Sequence, residues 1–275
     1  MGQLTDYTGY LLRTAFLRAA GLVGDTFPPG VHPRDASVLS MLEAVGPCSQ
    51  QHLAETLHVN RSMMVKLIDA LEARGLVERG RNPDDRRSYA LYPTQAGRNA
   101  LAAMAPHMDS AEDVFAAALT AQERARLVEL LHALVDPPET AISHRLGFLI
   151  AQAHHRFRAR ADEILRPLGM EVRHFGALTA LADGVPSQRE LADRLRVSGP
   201  VVVEMVDGLE ALGMVERRRD PADRRSNALI VTDAGREALE RAEGKLEAAT
   251  RELVAPIGED GDAELRALLR KMLEL

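Results

Sequence analysis

Tryptophan is absent from the 275-residue sequence, cysteine occurs once (Cys48), and tyrosine and phenylalanine number only four and six. A single cysteine excludes an intrachain disulfide framework and any cysteine-rich zinc or iron–sulfur site. With so few aromatics the core must be built from Leu, Ala, Val and Met, which favours helices over β-sandwiches. No run of about 18 apolar residues is present, which excludes a membrane-spanning helix. The polar start Met1–Tyr10 lacks a basic stretch followed by an apolar one, so no signal peptide is expected and a cytoplasmic location is. The sequence has no phosphate-cradling glycine loop, no H-E-x-x-H and no nucleophile elbow. Neither an enzyme nor a cofactor is therefore expected. Nor is a metal site: His154 and His155, adjacent on a helix, point about 100° apart and cannot chelate one ion together. Lysine is scarce too, at three (Lys66, Lys245, Lys271) against 31 arginines, and the net charge of −6 argues, as an average, against a polyanionic partner.

What is present is a repeat. Residues 49–101 and 187–239 align at an offset of 138 without a gap, with about 29 of 53 positions identical. Upstream, Gly9-Tyr10-Leu11-Leu12 answers Gly147-Phe148-Leu149-Ile150. With one residue of slip, Arg34, Leu39 and Leu42 answer Arg173, Leu178 and Leu181. The period is too long for a solenoid and describes a duplicated domain: residues 1–136, a linker at 137–140 carrying Pro137 and Pro138, and residues 141–275. Two prolines cannot continue the preceding helix, and a linker this short and stiff predicts copies that act together as a covalently joined dimer.

Within the first copy, helical spacing predicts helices over 4–24, 34–45, 50–57, 60–74, 94–117 and 120–135. Short alternating strands are predicted at 76–79 and 90–92. Asn60 and Ser198 are expected to cap the fourth helix of each copy, Gly75 and Gly213 to terminate it in a left-handed conformation, and Ser187 with Glu190 to form a capping box. A fold class follows: mainly α with small β-hairpins. Cys48 and the methionines at 41, 63, 64, 104 and 108 are expected to be packing residues.

A short helix, a tight turn, a second helix and a hairpin with an arginine-rich tip is the plan of a winged helix-turn-helix. The second helix is narrow enough for a major groove, and arginines on the hairpin suit phosphates and the neighbouring minor groove. The residues resemble the MarR family of bacterial transcription regulators. In copy one the resemblance rests on Leu71-Glu72-Ala73-Arg74-Gly75, Pro83-Asp84-Asp85-Arg86-Arg87 and Thr94-Gln95-Ala96-Gly97. In copy two it rests on Leu209-Glu210-Ala211-Leu212-Gly213, Asp220 to Arg225 and Thr232-Asp233-Ala234-Gly235. The resemblance implies double-stranded DNA as partner, a small-molecule effector, and Asp85 and Asp223 bracing Arg87 and Arg225. It also implies a helical joint made of 4–24, 95–135, 141–166 and 233–274. Because one chain holds both halves, a functional monomer is expected, an intramolecular pseudodimer on an imperfect palindrome.

Taken locally, charge agrees with this reading. Residues 74–98 and 212–236 each carry six arginines, and the acidic surplus lies elsewhere, notably over 237–264. The expected DNA contacts are Asn60, Arg61, Ser62 and Lys66 from the first recognition helix, with Arg81, Asp85, Arg86 and Arg87 from its wing. From the second half come Ser198 and Val201, with Arg219, Asp223, Arg224 and Arg225. Copy two has Gly199 and Glu204 where copy one has Arg61 and Lys66, and offers Val201 and Val202 instead. Two readings of that half stay open: it reads its half-site through thymine methyls and shape, or it is kept for folding and pairing. A second class also stays open, a winged-helix interaction module with weakened or lost DNA binding.

Overall fold

The computed structural model describes residues 4–27, 32–81, 89–185, 187–219 and 227–275, and all of their side chains except those of residues 23–26, 219 and 227. The element order is α1 (Thr8–Thr26), α2 (Pro33–Val45), α3 (Gln50–Thr56), α4 (Arg61–Ala73), β1 (Val77–Arg81), β2 (Tyr89–Pro93), α5 (Gln95–Phe115), α6 (Ala121–Val135). It continues with α7 (Leu146–Leu165), α8 (Val172–Ala182), α9 (Gln188–Leu195), α10 (Gly199–Ala211), β3 (Val215–Arg219), β4 (Asn227–Val231), α11 (Asp233–Val254) and α12 (Gly258–Leu273). The architecture is mostly helical with two small antiparallel hairpins.

Packing divides the chain differently from the sequence repeat. One unit, the first below, is Leu11–Arg156 with Pro256–Leu275; the other, the second, is Met1–Tyr10 with Phe157–Ala255. In the first unit α12 lies along α6. Lys271 reaches Glu123 at 2.6 Å, Arg126 grips Glu264 at 2.9–3.1 Å, and Arg18 donates to the Met272 carbonyl at 2.7 Å. The Lys271 ammonium and the Thr120 cap hold the Glu123 carboxyl down at about 2. Leu39, Leu42, Leu53, Met64, Ile68 and Leu71 are essentially inaccessible and form the core beneath the recognition motif. Each such side chain contributes about 1.5–3 kcal/mol by burial. The second unit repeats this core with Leu178, Leu181, Leu191, Val202, Val206 and Leu209, and adds Leu4.

The ends of the predicted helices shift for local reasons. The first is not continuous from residue 4: a 3-10 turn, Leu4–Asp6, precedes α1, with Tyr7 N–H donating to the Leu4 carbonyl at 3.2 Å. Leu4 is thereby drawn into the second unit's core. The joint helix expected from 141 begins only at Leu146. Before it the Ser143 hydroxyl donates to the Thr140 carbonyl at 3.0 Å and Arg145 N–H to the Ile142 carbonyl at 2.9 Å, a local alternative to helix. The prolines end α6 as expected, with Asp136 in the left-handed region at φ 48°. At Ser187 the capping box forms only in part: Ser187 Oγ accepts the Glu190 amide at 3.2 Å, and the Glu190 carboxylate accepts the Ser187 hydroxyl. A full box stands instead at Thr120 and Glu123.

Candidate nucleic-acid interface

Each helix-turn-helix is closed by a turn that no glycine marks. His58 (φ 50°) and Arg196 (φ 51°) occupy equivalent left-handed positions. Next, Val59 N–H donates to the Ala54 carbonyl at 2.9 Å and Val197 N–H to the Ala192 carbonyl at 3.1 Å. No neighbouring residue signals this conformation, which non-glycine residues adopt under tertiary constraint.

The second helices end alike. Gly75 and Gly213 have φ 67° and 69°. Gly75 N–H donates to the Glu72 carbonyl and Leu76 N–H to the Leu71 carbonyl (2.8 and 2.9 Å); in copy two Gly213 and Met214 donate to Glu210 and Leu209 (both 2.9 Å). These are paired Schellman bonds. The chain then meets the next helix through one threonine. Thr94 Oγ donates to the Gly75 carbonyl at 2.7 Å and accepts the Gly97 amide at 3.0 Å; Thr232 does the same with Gly213 and Gly235. A Cβ on Gly97 would stand 2.1 Å from the Leu76 carbonyl oxygen, and one on Gly235 2.1 Å from that of Met214. The T-x-A-G motif is thus a close backbone approach locked by a cap.

The hairpins pair from Val77↔Pro93 to Arg81↔Tyr89 and from Val215↔Val231 to Arg219↔Asn227. Their first strands are bolted to the recognition helices. Arg79 pairs with Glu72 and, at 2.6 Å, with Asp69; Arg217 pairs with Glu210 and, at 2.5 Å, with Asp207. Two of the arginines counted towards a basic wing therefore serve the scaffold. The sequence did hold a signal for this, since Asp, Glu and Arg recur at the same spacing in both copies. In copy one a third bridge joins the sheet where Leu91 N–H donates to the Cys48 carbonyl at 2.9 Å, and Tyr92 Oη donates to the Arg81 carbonyl at 2.9 Å across Gly80. Cys48 is half-buried, and burial pushes its thiol up to about 11, which suits a packing role.

Over residues 61–69 of α4 the exposed residues are Arg61, Ser62, Met63, Val65, Lys66 and Asp69. Asn60 is the cap: its Oδ1 accepts the Met63 amide at 2.8 Å. Of the expected packing methionines Met63 is the exception, 39% exposed. Over residues 199–207 of α10 the exposed residues are Gly199, Pro200, Val201, Val203, Glu204 and Asp207, preceded by Ser198. Two expectations need correction here. Ser198 stands at the N-cap but its side chain makes no cap bond, since Pro200 removes one of the amides such a cap serves. Val202, offered as a surface residue, is fully buried in the core. Glu204 does not stand alone, because Arg173 meets it at 2.8 Å.

The wing tips carrying Asp85, Arg86, Arg87, Asp223, Arg224 and Arg225 lie outside the described residues, as does the Arg219 side chain. Among the described residues one trio could hold a metal ion. His132, Glu139 and His144 offer ligand atoms within 4.8 Å of one another, and the two imidazoles stack at 4.5 Å. His154 and His155 are engaged differently, both against the Phe16 ring (4.7 and 5.3 Å between centroids). The first unit also contains a cavity of about 180 Å³ lined by Phe16, Phe27, Phe115 and Phe148 with Arg34 and Arg145. Among the described residues no helix is long and apolar enough to cross a membrane.

Helix, turn, recognition helix and a hairpin braced against it define a winged helix-turn-helix protein, present twice. Comparison with known proteins gives the family. Two family models described as "MarR family" match residues 32–89 and 168–226. The "Putative transcriptional regulatory protein for hcr operon" of Thauera aromatica is 34% identical over 137 residues, 48% of this chain and 81% of its own length. The "HTH-type transcriptional repressor NicR" of Pseudomonas putida is 29% identical over 139 residues, 50% of this chain and 88% of its own. A solved MarR-family regulator from Rhodococcus sp. RHA1 matches 48% of this chain and 95% of its own at 26% identity and a TM-score of 0.45. The chain belongs to the MarR family, as a tandem pair of its domains. It is a transcription regulator and not an enzyme.

Proposed function

We propose that the chain is a ligand-responsive repressor, cytoplasmic and monomeric, whose two halves grip an imperfect palindrome as the subunits of a dimer do. One observation carries the reading: α4 and α10 each expose their first two turns in front of a hairpin fixed to their rear by the same Arg–Asp–Glu triad. In this reading Asn60, Arg61, Ser62 and Lys66 meet base edges and nearby phosphates in one half-site, and Ser198 and Val201 meet the other. Arg81, Asp85, Arg86, Arg87, Arg219, Asp223, Arg224 and Arg225 form the wings. Bivalent fit requires half-sites about 34 Å apart, so a small change in the angle between halves loses one side's contacts. The cavity beside α2 supports the ligand response: its volume of about 180 Å³ is on the order of the engineered 150 Å³ apolar cavity that takes up benzene.

A second reading is favoured by one surface. The exposed side of α10 is apolar and acidic, with Val201 and Val203 37% and 44% exposed, which suits a protein partner better than a phosphate backbone. Salt separates the two. A regulator that neutralises roughly 6–10 phosphates loses about 10³–10⁵-fold in DNA affinity between 50 and 200 mM salt. An interaction module shows no retention on bulk DNA or heparin at either concentration.

A further inference from the structure

The first unit's cavity has a counterpart position in the second, and the repeat says what fills it. At the offset of 138, α7 repeats α1, so Ala19 and Ala20 correspond to Phe157 and Arg158, and Ala151 corresponds to Arg13. All three alanines line the cavity. Of the three replacements Phe157 is the one buried within the second unit; the Arg158 side chain is 63% exposed and Arg13 belongs to the first unit.

The structure shows the consequence on glycines that share a position in the repeat. Gly147 borders the cavity, and a Cβ built on it would meet nothing within 4 Å. A Cβ on Gly9, its equivalent, would stand 3.6 Å from Cδ1 of the Phe157 ring, which is only 6% exposed. Arg145, also lining the cavity, is replaced by Tyr7. The Tyr7 ring packs edge-on against Phe175 at 5.9 Å, and its hydroxyl donates to Glu243 at 3.0 Å. Leu4, at the position equivalent to Ile142, is buried in the core.

We propose that the chain takes one small-molecule effector rather than two, in the first unit, because the Phe157 ring fills the equivalent space in the second. The inference rests on the reading of the cavity as an effector site. A cavity walled by four phenylalanine rings, with Arg34 at its edge, suits an aromatic molecule of one or two rings bearing one anionic group. The cavity is lined by Pro33, Arg34 and Ser37 of α2. Asp35 of that helix is paired with Arg74 at the end of α4. The ligand therefore acts on the half whose recognition helix carries Arg61 and Lys66, while the other half has no ligand to answer.

Titrating the full chain with 1-naphthoate tests this, read by ligand fluorescence, which a chain without tryptophan does not obscure. One equivalent is expected. Ala19→Phe, which imports the second half's own filler, should remove it, and Ala151→Leu should do the same by a different wall. Phe157→Ala should raise the stoichiometry to two. Circular dichroism melts identify any variant that has not folded; the two filling variants are independent of each other, so either alone suffices. Zero or two equivalents on the unaltered chain, binding that survives both filling variants, or one equivalent with folded Phe157→Ala would overturn the proposal. No DNA is present in the titration, so failure of the regulator reading, seen in the salt experiment, leaves this result standing.

Discussion

The two recognition helices sit in scaffolds held by the same bonds and present different surfaces. Gly75 and Gly213, Thr94 and Thr232, Gly97 and Gly235, and the Arg79 and Arg217 triads make the same bonds in each half. The surface has diverged, and it has done so in locally compensated sets. In the first unit Asp35, only 3% exposed, is paired with Arg74 at 2.5 Å. The second unit replaces both members, with His174 for Asp35 and Leu212 for Arg74. Ala70 also becomes Gly208, against which His174 packs so closely that a Cβ would stand 2.9 Å from its Nε2. Likewise Lys66 becomes Glu204, and Arg173 neutralises it. The frame is the same in both halves while the reading surfaces differ.

The frame is the first place to break this comparison. Gly97→Ala and Gly235→Ala should each cost about 3 kcal/mol or more, because the clash is with backbone that cannot rotate away. Urea unfolding should show equal losses for the two, and unequal losses would deny that the scaffolds are equivalent. The coupled set comes next. Arg74→Leu imports the second unit's residue and strands the buried Asp35 carboxylate. It should cost about 1–3 kcal/mol, less than a fully buried pair because Arg74 is 38% exposed. Adding Asp35→His and Ala70→Gly should recover most of that loss in the same unfolding measurement.

The smallest effect is a pH difference between units. Burial lowers the His174 pKa below 6.5, with Glu171 and Glu204 opposing the shift and Arg173 reinforcing it. A folded pKa below the unfolded one means the contribution is complete above about 6.5 and is lost as pH falls below it. The pKa of His58, in the turn before α4, is lowered in the same direction by burial and Arg156, so the comparison is made in a His58→Asn background. Hydrogen exchange at pH 7.5 and 5.5 should then show protection falling in α8 and α10 relative to α2 and α4, and adding His174→Asn should remove the difference.

Much of this was legible in the sequence because repetition doubled every signal. Helical periodicity, the terminal glycines and the Asn60 and Thr94 caps each act through bonds local to a few residues, and they placed α2 to α6 to within a residue or two. The hidden features are those that depend on the other side of the fold. Nothing near His58 or Arg196 announces a left-handed turn, because packing imposes it. Val202 and Val203 look alike until the core selects one of them. Arg79 reads as a wing cation unless the recurrence of Asp69, Glu72 and Arg79 as Asp207, Glu210 and Arg217 is noticed, and the distances then decide it. The packing units were also hidden: a repeat records how the sequence was duplicated, while Leu4 and α12 pack with segments distant in the chain.

The central claim is unequal reading of DNA by two equal scaffolds, and one experiment addresses it directly: gel-shift titration of Arg61→Ala and Val201→Ala on a mapped operator, with each half-site footprinted separately. Arg61→Ala should weaken binding by at least about tenfold, with the loss centred on one half-site, as expected for a side chain worth about 1–3 kcal/mol of base discrimination. Val201→Ala should cost less and act at the other half-site. Equal losses at both half-sites for the two variants would contradict it.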